Sequence, residues 1–261
     1  MQPFLQLHNA QVVRAGRPIL NIEGFQLALG ENLALLGPNG SGKSTFIKLI
    51  TREILPLYRE EPSVVFMGNP RATLAQVKSS VGTVSSTMQD QMTVHLPVEE
   101  IVIGGLYGTL GLPFNQEVPS QDYEAAREAL ALVGVEDLAW RDVTTLSTGQ
   151  ARRVLIAKSL IHKPQVLVLD EPCTGLDPEG MHYVRRSMRA LAQAGTTIVL
   201  VSHYPEDIIP EIDRLVLLKD GCVFADGPKQ QLLTAETMST LFDAPLEVNR
   251  HGEYFSLVSA Y

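Results

Sequence analysis

Cysteine is scarce in this 261-residue chain: only Cys173 and Cys222 occur, with no metal-ligand spacing between them. That argues against a disulfide framework and a cysteine-ligated metal, and it suits a reducing cytosol. Long apolar runs are missing as well. The best candidate, residues 101–114, is uncharged, but it is shorter than the ~20 residues a membrane-spanning helix needs. Gly104, Gly105, Gly108 and Gly111 interrupt it. The opening residues, MQPFLQLH, lack the basic-then-apolar layout of a secretory signal. A role at a membrane would therefore require another chain to cross it. Positive charge is in deficit, with 21 Lys and Arg against 29 Asp and Glu, a net charge of −8 and a pI near 5.3. No nucleic-acid partner is expected from such a balance. There is no internal repeat, low-complexity tract or long run of like charge. What remains, 45% hydrophobic and 19% charged residues, is the composition of a soluble globular protein with a core of its own.

The most informative stretch is Gly37-Pro38-Asn39-Gly40-Ser41-Gly42-Lys43-Ser44-Thr45. It fills the phosphate-binding template G-x-x-x-x-G-K-[ST]. An apolar run (Leu33 to Leu36) precedes it and a helical pattern (Phe46, Ile47, Leu49, Ile50) follows. The glycines let backbone N–H groups turn inward on a polyphosphate, and the new helix points its positive end at the same place. Lys43 is placed to reach the β- and γ-phosphates and the Ser44 hydroxyl to ligate Mg²⁺. A bare glycine-rich turn would need neither the Lys-Ser ending nor the strand in front. The residues therefore point to a nucleoside triphosphate.

Along the chain, the first thirty residues alternate as strands, with turns at Ala15-Gly16 and Leu29-Gly30. Further strands are expected at 63–67 and 81–84. Helices are expected from Pro97, over 121–133 and over 150–161. Buried parallel strands then read at 166–169 and 196–201, separated by a helix over 179–193. A hairpin turns at Asp220-Gly221. The pattern is an α/β core interrupted by a helical insertion near 90–160.

Two further groups carry chemistry. The strand Val166–Leu169 ends in Asp170 and Glu171, the layout in which an aspartate holds Mg²⁺ and a glutamate activates water. A buried strand ending in charge is common by itself; the P-loop upstream and Pro172 after it strengthen the reading. Leu146-Ser147-Thr148-Gly149-Gln150 opens a helix with Arg152 and Arg153 in its first turn. This is either a second anion site or a plain N-cap at Ser147 or Thr148.

Taken in order, Gly37–Thr45, Leu146–Gln150, Val166–Glu171, Gly175-Leu176-Asp177 and Ser202-His203 resemble an ATP-binding cassette (ABC) ATPase over essentially the whole chain. The resemblance implies an α/β fold: a P-loop NTPase core of ABC ATPase type with an N-terminal antiparallel β-subdomain and a helical insertion subdomain. It implies a single nucleotide-binding domain over residues 1–261, with a catalytic core at about 1–88 and 163–261 and a helical signature subdomain at about 89–162. ATP and Mg²⁺ are the implied cofactors, with Lys43, Glu171 and His203 catalytic. Ser147, Gly149 and Gln150 would cap the ATP of a second copy in an ATP-dependent head-to-tail homodimer, with Asp177 signalling across it. His203 resembles the switch histidine that bonds the γ-phosphate and the attacking water.

Three positions depart from the family pattern. Arg14 stands where an aromatic commonly stacks on adenine; it either lies flat on the base or is a solvated turn residue. Ser85-Ser86 replace the Q-loop glutamine, leaving Ser86 or Gln89 as the Mg²⁺-sensing group. Thr148 replaces a signature glycine. Gly105–Leu112 and the Ser202–Ile212 stretch look similar to ModF-like and iron-siderophore importer ATPases. The resemblance then implies the motor subunit of an importer of a metal complex or small anion. Such a motor sits on the cytoplasmic face of the inner membrane and is gripped through residues 98–112 by an integral-membrane permease. Leu106, Tyr107 and Leu110 suit such a groove, or else the core. The alternative, favoured by the missing glutamine, is a soluble ABC ATPase driving a cytosolic process.

Overall fold

Alternating apolar residues near the start build two long antiparallel strands, β1 (Leu5–Arg14) and β2 (Arg17–Leu27), joined by Ala15 and Gly16 with φ of 49° and 76°. Positive φ at both turn residues is what a tight hairpin requires. There follow β3 (Leu33–Leu36), α1 (Lys43–Ile50), β4 (Val64–Phe66) and α2 (Leu74–Ser80). Next come β5 (Val81–Ser85), α3 (Val98–Tyr107), α4 (Ser120–Leu132), α5 (Thr148–Leu160), β6 (Val166–Asp170) and α6 (Pro178–Gln193). The chain ends with β7 (Thr197–Ser202), β8 (Arg214–Lys219), β9 (Cys222–Pro228), α7 (Lys229–Leu232), α8 (Ala235–Phe242), β10 (Leu246–His251) and β11 (Tyr254–Ser259). This computed structural model describes residues 3–259, apart from the side chains at 86, 90 and 91.

Two compact units emerge, one of residues up to Val81 together with those from Thr197, the other Gly82–Thr196. In the first, strands are ordered β4-β1-β2-β9-β8-β3-β7. β3 is buried along its whole length and pairs in parallel with both β7 and β8, whose core residues are also buried. That double burial explains why these strands read as unbroken apolar runs, while the half-exposed β1 and β2 read as alternation. α1 packs its Phe46 edge-on against Phe25 of β2, with ring centroids 5.1 Å apart. α2, α7, α8 and the β10–β11 hairpin were not anticipated from the sequence.

The second unit carries the helices expected near 90–160, and β5 neighbours β6 within it. α3 starts after Pro97 and stops at Gly108, whose φ of 69° supplies the left-handed C-terminal residue. α5 buries Val154, Leu155, Ile156 and Leu160. Of the groove residues expected on α3, Leu106 is 38% exposed, while Tyr107 is half-buried and donates to Asp122 Oδ2 at 2.5 Å.

Candidate active site

The P-loop leaves β3 between two parallel neighbours. Register pairs Leu36 with Ser202 of β7 and with Leu217 of β8, so Gly37 and His203 leave the sheet at the same edge. Gly37 is required for space: a Cβ there would stand 2.2 Å from Leu218 O and 2.7 Å from Ser41 Oγ. Gly42 is required for conformation, with φ of 102° as the N-terminal cap of α1. The β8–β9 turn holds the loop from outside, through Gly221 N donating to Ser41 O at 3.0 Å.

The loop ends in a helix start without a side-chain cap. No acidic residue lies in the first turn of α1 either, a helix start whose positive end suits an anion. Lys43 is 7% exposed, and its ammonium donates to Gly37 O at 2.6 Å and Pro38 O at 3.0 Å. Its charge is thereby folded back over the loop. Ser41 is buried, and its Oγ has no hydrogen-bond partner among the described residues. Ser44 is exposed and Thr45 half-buried, while Asn39 and Gly40 form the exposed crest beyond half-buried Pro38. A loop whose first glycine leaves no room for a Cβ, a folded-back cation and an orphaned hydroxyl together suit a polyphosphate. His203 is half-buried with its ring centroid 4.0 Å from that of Tyr204. Arg14 is exposed and pairs with Arg17 across the β1–β2 turn.

In the second unit, β6 delivers half-buried Asp170 and Glu171. Glu171 has a φ of 51°, a left-handed conformation uncommon for a non-glycine residue. Strain of this kind concentrates at functional sites, and only the folded backbone reveals it. Thr174 Oγ1 donates to Glu171 Oε2 at 3.5 Å and Thr174 N to Glu171 O at 3.2 Å.

Ser147 caps α5. Its Oγ accepts from Gln150 N at 3.3 Å, and Gln150 Oε1 accepts from Ser147 N at 3.0 Å, a reciprocal capping box. The N-cap reading of this segment therefore holds as local structure. Arg152 and Arg153 do not join it at the helix start. The Arg152 guanidinium, 3% exposed, donates to Glu171 O at 3.5 Å, and Arg153 donates to Gly134 O at 3.0 Å while lying over Tyr183. Gly149 abuts α6: a Cβ there would come within 2.9 Å of Gly180 Cα. Asp177 caps α6 through Gly180 N at 2.8 Å. Gly180 and Arg152 thus matter to the signature segment, and no motif named Gly180. Ser86 opens a short 3-10 turn, and its side chain lies outside the described residues. The Gln89 Oε1 is buried without a hydrogen-bond partner among them.

Comparison with known proteins places this geometry. Residues 20–174 match the family described as ABC transporter. The chain is 32% identical to the uncharacterized ABC transporter ATP-binding protein YlmA of Bacillus subtilis over 248 residues, covering 94% of this chain and 93% of that one. It is 32% identical over 229 residues to the ABC transporter ATP-binding protein ModF of Escherichia coli, spanning 85% of this chain and 46% of ModF. Among solved structures, a candidate metal-chelate type ABC transporter in an inward-facing conformation aligns with a TM-score of 0.80 at 26% identity, covering 99% of this chain and 98% of that one. The α/β P-loop core expected from the motifs is the fold these likenesses share. A P-loop whose first glycine leaves no room for a Cβ, within a match spanning more than half the chain, makes this an ATP-binding, ATP-hydrolysing subunit of the ABC transporter family.

Proposed function

We propose that this subunit is the motor of a transporter. Two copies close head to tail on ATP, and the cycle drives a separate membrane permease that imports a metal complex or small anion. The observation that carries the nucleotide reading is buried Lys43, folded over a loop in which Gly37 leaves no room for a Cβ. Residues 1–261 act as one cassette, with a catalytic core at about 1–88 and 163–261 and the signature subdomain at about 89–162. The import reading draws on the metal-chelate description of the aligned transporter. Among the described residues no helix is long and apolar enough to cross a membrane, which agrees with a motor seated on the cytoplasmic face of a membrane crossed by its partner.

Chemistry follows from the residues. Residues 37–45 bind the phosphates, and Lys43 neutralises the charge growing on the transferred phosphoryl group. Glu171 accepts the proton of the attacking water as the bond to the γ-phosphorus forms and the bond to ADP breaks. His203 orients that water. Ser147, Gly149 and Gln150 of the second copy close over the nucleotide, and Arg14 flanks the adenine. Mg²⁺, when bound, supplies charge neutralisation between the phosphates. Such an ion keeps several water and phosphate ligands, and the donors that suit it are the Ser44 hydroxyl and the Asp170 carboxylate, with Ser86 as a third.

The test uses tagged Glu171→Gln, which should retain ATP, release no phosphate and accumulate as an ATP-bound dimer. A multi-span permease co-purifying with it from gently solubilised membranes is the expected result. A soluble partner, with no protein in the membrane fraction, would replace this reading with a cytosolic ATPase, as the Ser85-Ser86 substitution of the Q-loop glutamine suggests.

A further inference from the structure

No motif assigns Glu206 a role, yet it ties the C-terminal hairpin to the loop that carries His203. Beyond β7 the chain runs through His203 and Tyr204 into a 3-10 turn, Pro205–Asp207. From within, Ser202 Oγ donates to Asp207 Oδ2 at 2.8 Å and accepts from Tyr204 N at 3.0 Å. Ser202 and Asp207 are 1% and 3% exposed, so this bracket is shielded from water. From outside, Leu257 N of β11 donates to Glu206 Oε1 at 2.9 Å. Leu257 faces Val248 across the hairpin, and in an antiparallel pair alternate N–H groups point away from the partner strand and are free for such a bond. The other carboxylate oxygen, Oε2, is buried without a hydrogen-bond partner among the described residues. A buried carboxylate left half-satisfied is costly, and here the Leu257 N–H is the donor that locates it.

We propose that Glu206 is a positioning residue for His203, and that hairpin β10–β11 is the clamp through which it works. The inner bracket fixes the path of the turn, and the outer bond fixes its height against the sheet. Together they set the direction of the imidazole that starts the loop. Catalytic geometry is sensitive to displacements of an ångström, so loosening the turn slows the chemical step while leaving the phosphate cradle intact. The proposal rests on the reading of His203 as the group that orients the attacking water.

The test compares full-length Glu206→Ala, Glu206→Gln, His203→Ala and the Glu206→Ala/His203→Ala pair in single-turnover ATP hydrolysis, alongside ATP affinity and melting temperature. Glu206→Ala should lower the rate about tenfold, the scale of one hydrogen bond to a charged group, with ATP affinity within about twofold of the parent. Glu206→Gln, which keeps an accepting oxygen, should recover most of the rate. In the His203→Ala background, Glu206→Ala should cost nothing further, because residues acting as one unit are non-additive. A parental rate for Glu206→Ala, or a loss that recurs in full without His203, overturns the clamp. A parental rate for His203→Ala instead removes the role of His203 and the clamp with it. Should Glu206→Ala fail to fold, Leu257→Pro removes the donor at an outward-facing position, along with the half-buried leucine side chain, and makes the same predictions.

Discussion

Two helices in this protein begin where the sequence places an anion, and they begin differently. α1 starts at Gly42 with no side-chain cap, and its leading N–H groups face a loop that holds a folded-back lysine. α5 starts at Ser147 with two of its donors, Ser147 N and Gln150 N, answered by the Ser147–Gln150 capping box. The first terminus has no side-chain cap of its own; the second carries one. The difference fits the proposed cycle, in which the P-loop holds nucleotide within one copy while the signature meets it only when two copies close. A self-capped helix start needs a ligand less for its stability, whereas an uncapped one is well satisfied by phosphates.

The comparison breaks most visibly at Lys43. Lys43→Ala should reduce phosphate release by about 10²–10³-fold, the scale of losing a preorganised charge at the transferring group. It should also abolish the ATP-dependent rise in melting temperature while leaving the ligand-free melt near the parental value. A parental rate of phosphate release would remove the central assignment. At α5 the opposite pattern is expected, with damage that appears before any nucleotide is added. Gly149→Ala forces a Cβ to 2.9 Å from Gly180 Cα and should cost about 1–3 kcal/mol of overpacking. Ser147→Ala should cost about 1 kcal/mol through the lost cap. Denaturant melts without ATP read both. Two parental curves would mean that the α5 terminus is as ligand-dependent as the α1 terminus.

The smallest expected effect sharpens the comparison from just upstream of the α5 cap. The Asp142 carboxyl accepts from Thr144 Oγ1 at 2.6 Å and from Thr144 N at 2.9 Å, with His95 Nδ1 2.8 Å from its other oxygen. These partners, the Thr144 hydroxyl first, hold its pKa down to about 2. A carboxyl whose folded pKa is depressed stabilises above its unfolded value, about 3.9, and loses that contribution as pH falls through the folded pKa. Asp142→Asn should therefore melt below the parent at pH 5, with the gap closing as pH approaches 2. A gap of constant size would show that Asp142 acts by shape alone.

How legible the molecule was depends on burial. β3, β6, β7 and β8 could be read because strands covered on both faces must be apolar throughout, and β1 and β2 because strands covered on one face must alternate. α2 could not, since Val77 is its sole buried residue and seven positions with one apolar anchor carry no period. The C-terminal hairpin escaped for the same reason: β10 is mostly exposed, and its sequence, LEVNRH, has no core face to declare. The Gly252 turn, with φ of 65°, was the one signal available. Arg152 and Arg153 looked like part of an anion site because both fall in the first turn of a helix expected to start at residue 150, whereas α5 starts at Thr148. Their guanidiniums are instead spent on the carbonyls of Glu171 and Gly134, and spacing along a helix says nothing about which way a long side chain reaches.

By itself the sequence declared the family. A glycine-rich loop ending in Lys43-Ser44, and a buried strand ending in Asp170-Glu171, carry their meaning in residue type and order, because few other residues supply those donors, acceptors and turns. Tertiary structure alone decided why particular residues cannot vary. Gly37 is fixed by Leu218 O, Gly149 by Gly180, and Glu171 is held left-handed at a strand end. Each of these constraints arises from residues distant in sequence brought within van der Waals reach, or from a backbone angle that no local pattern encodes, so it exists only once the chain has packed.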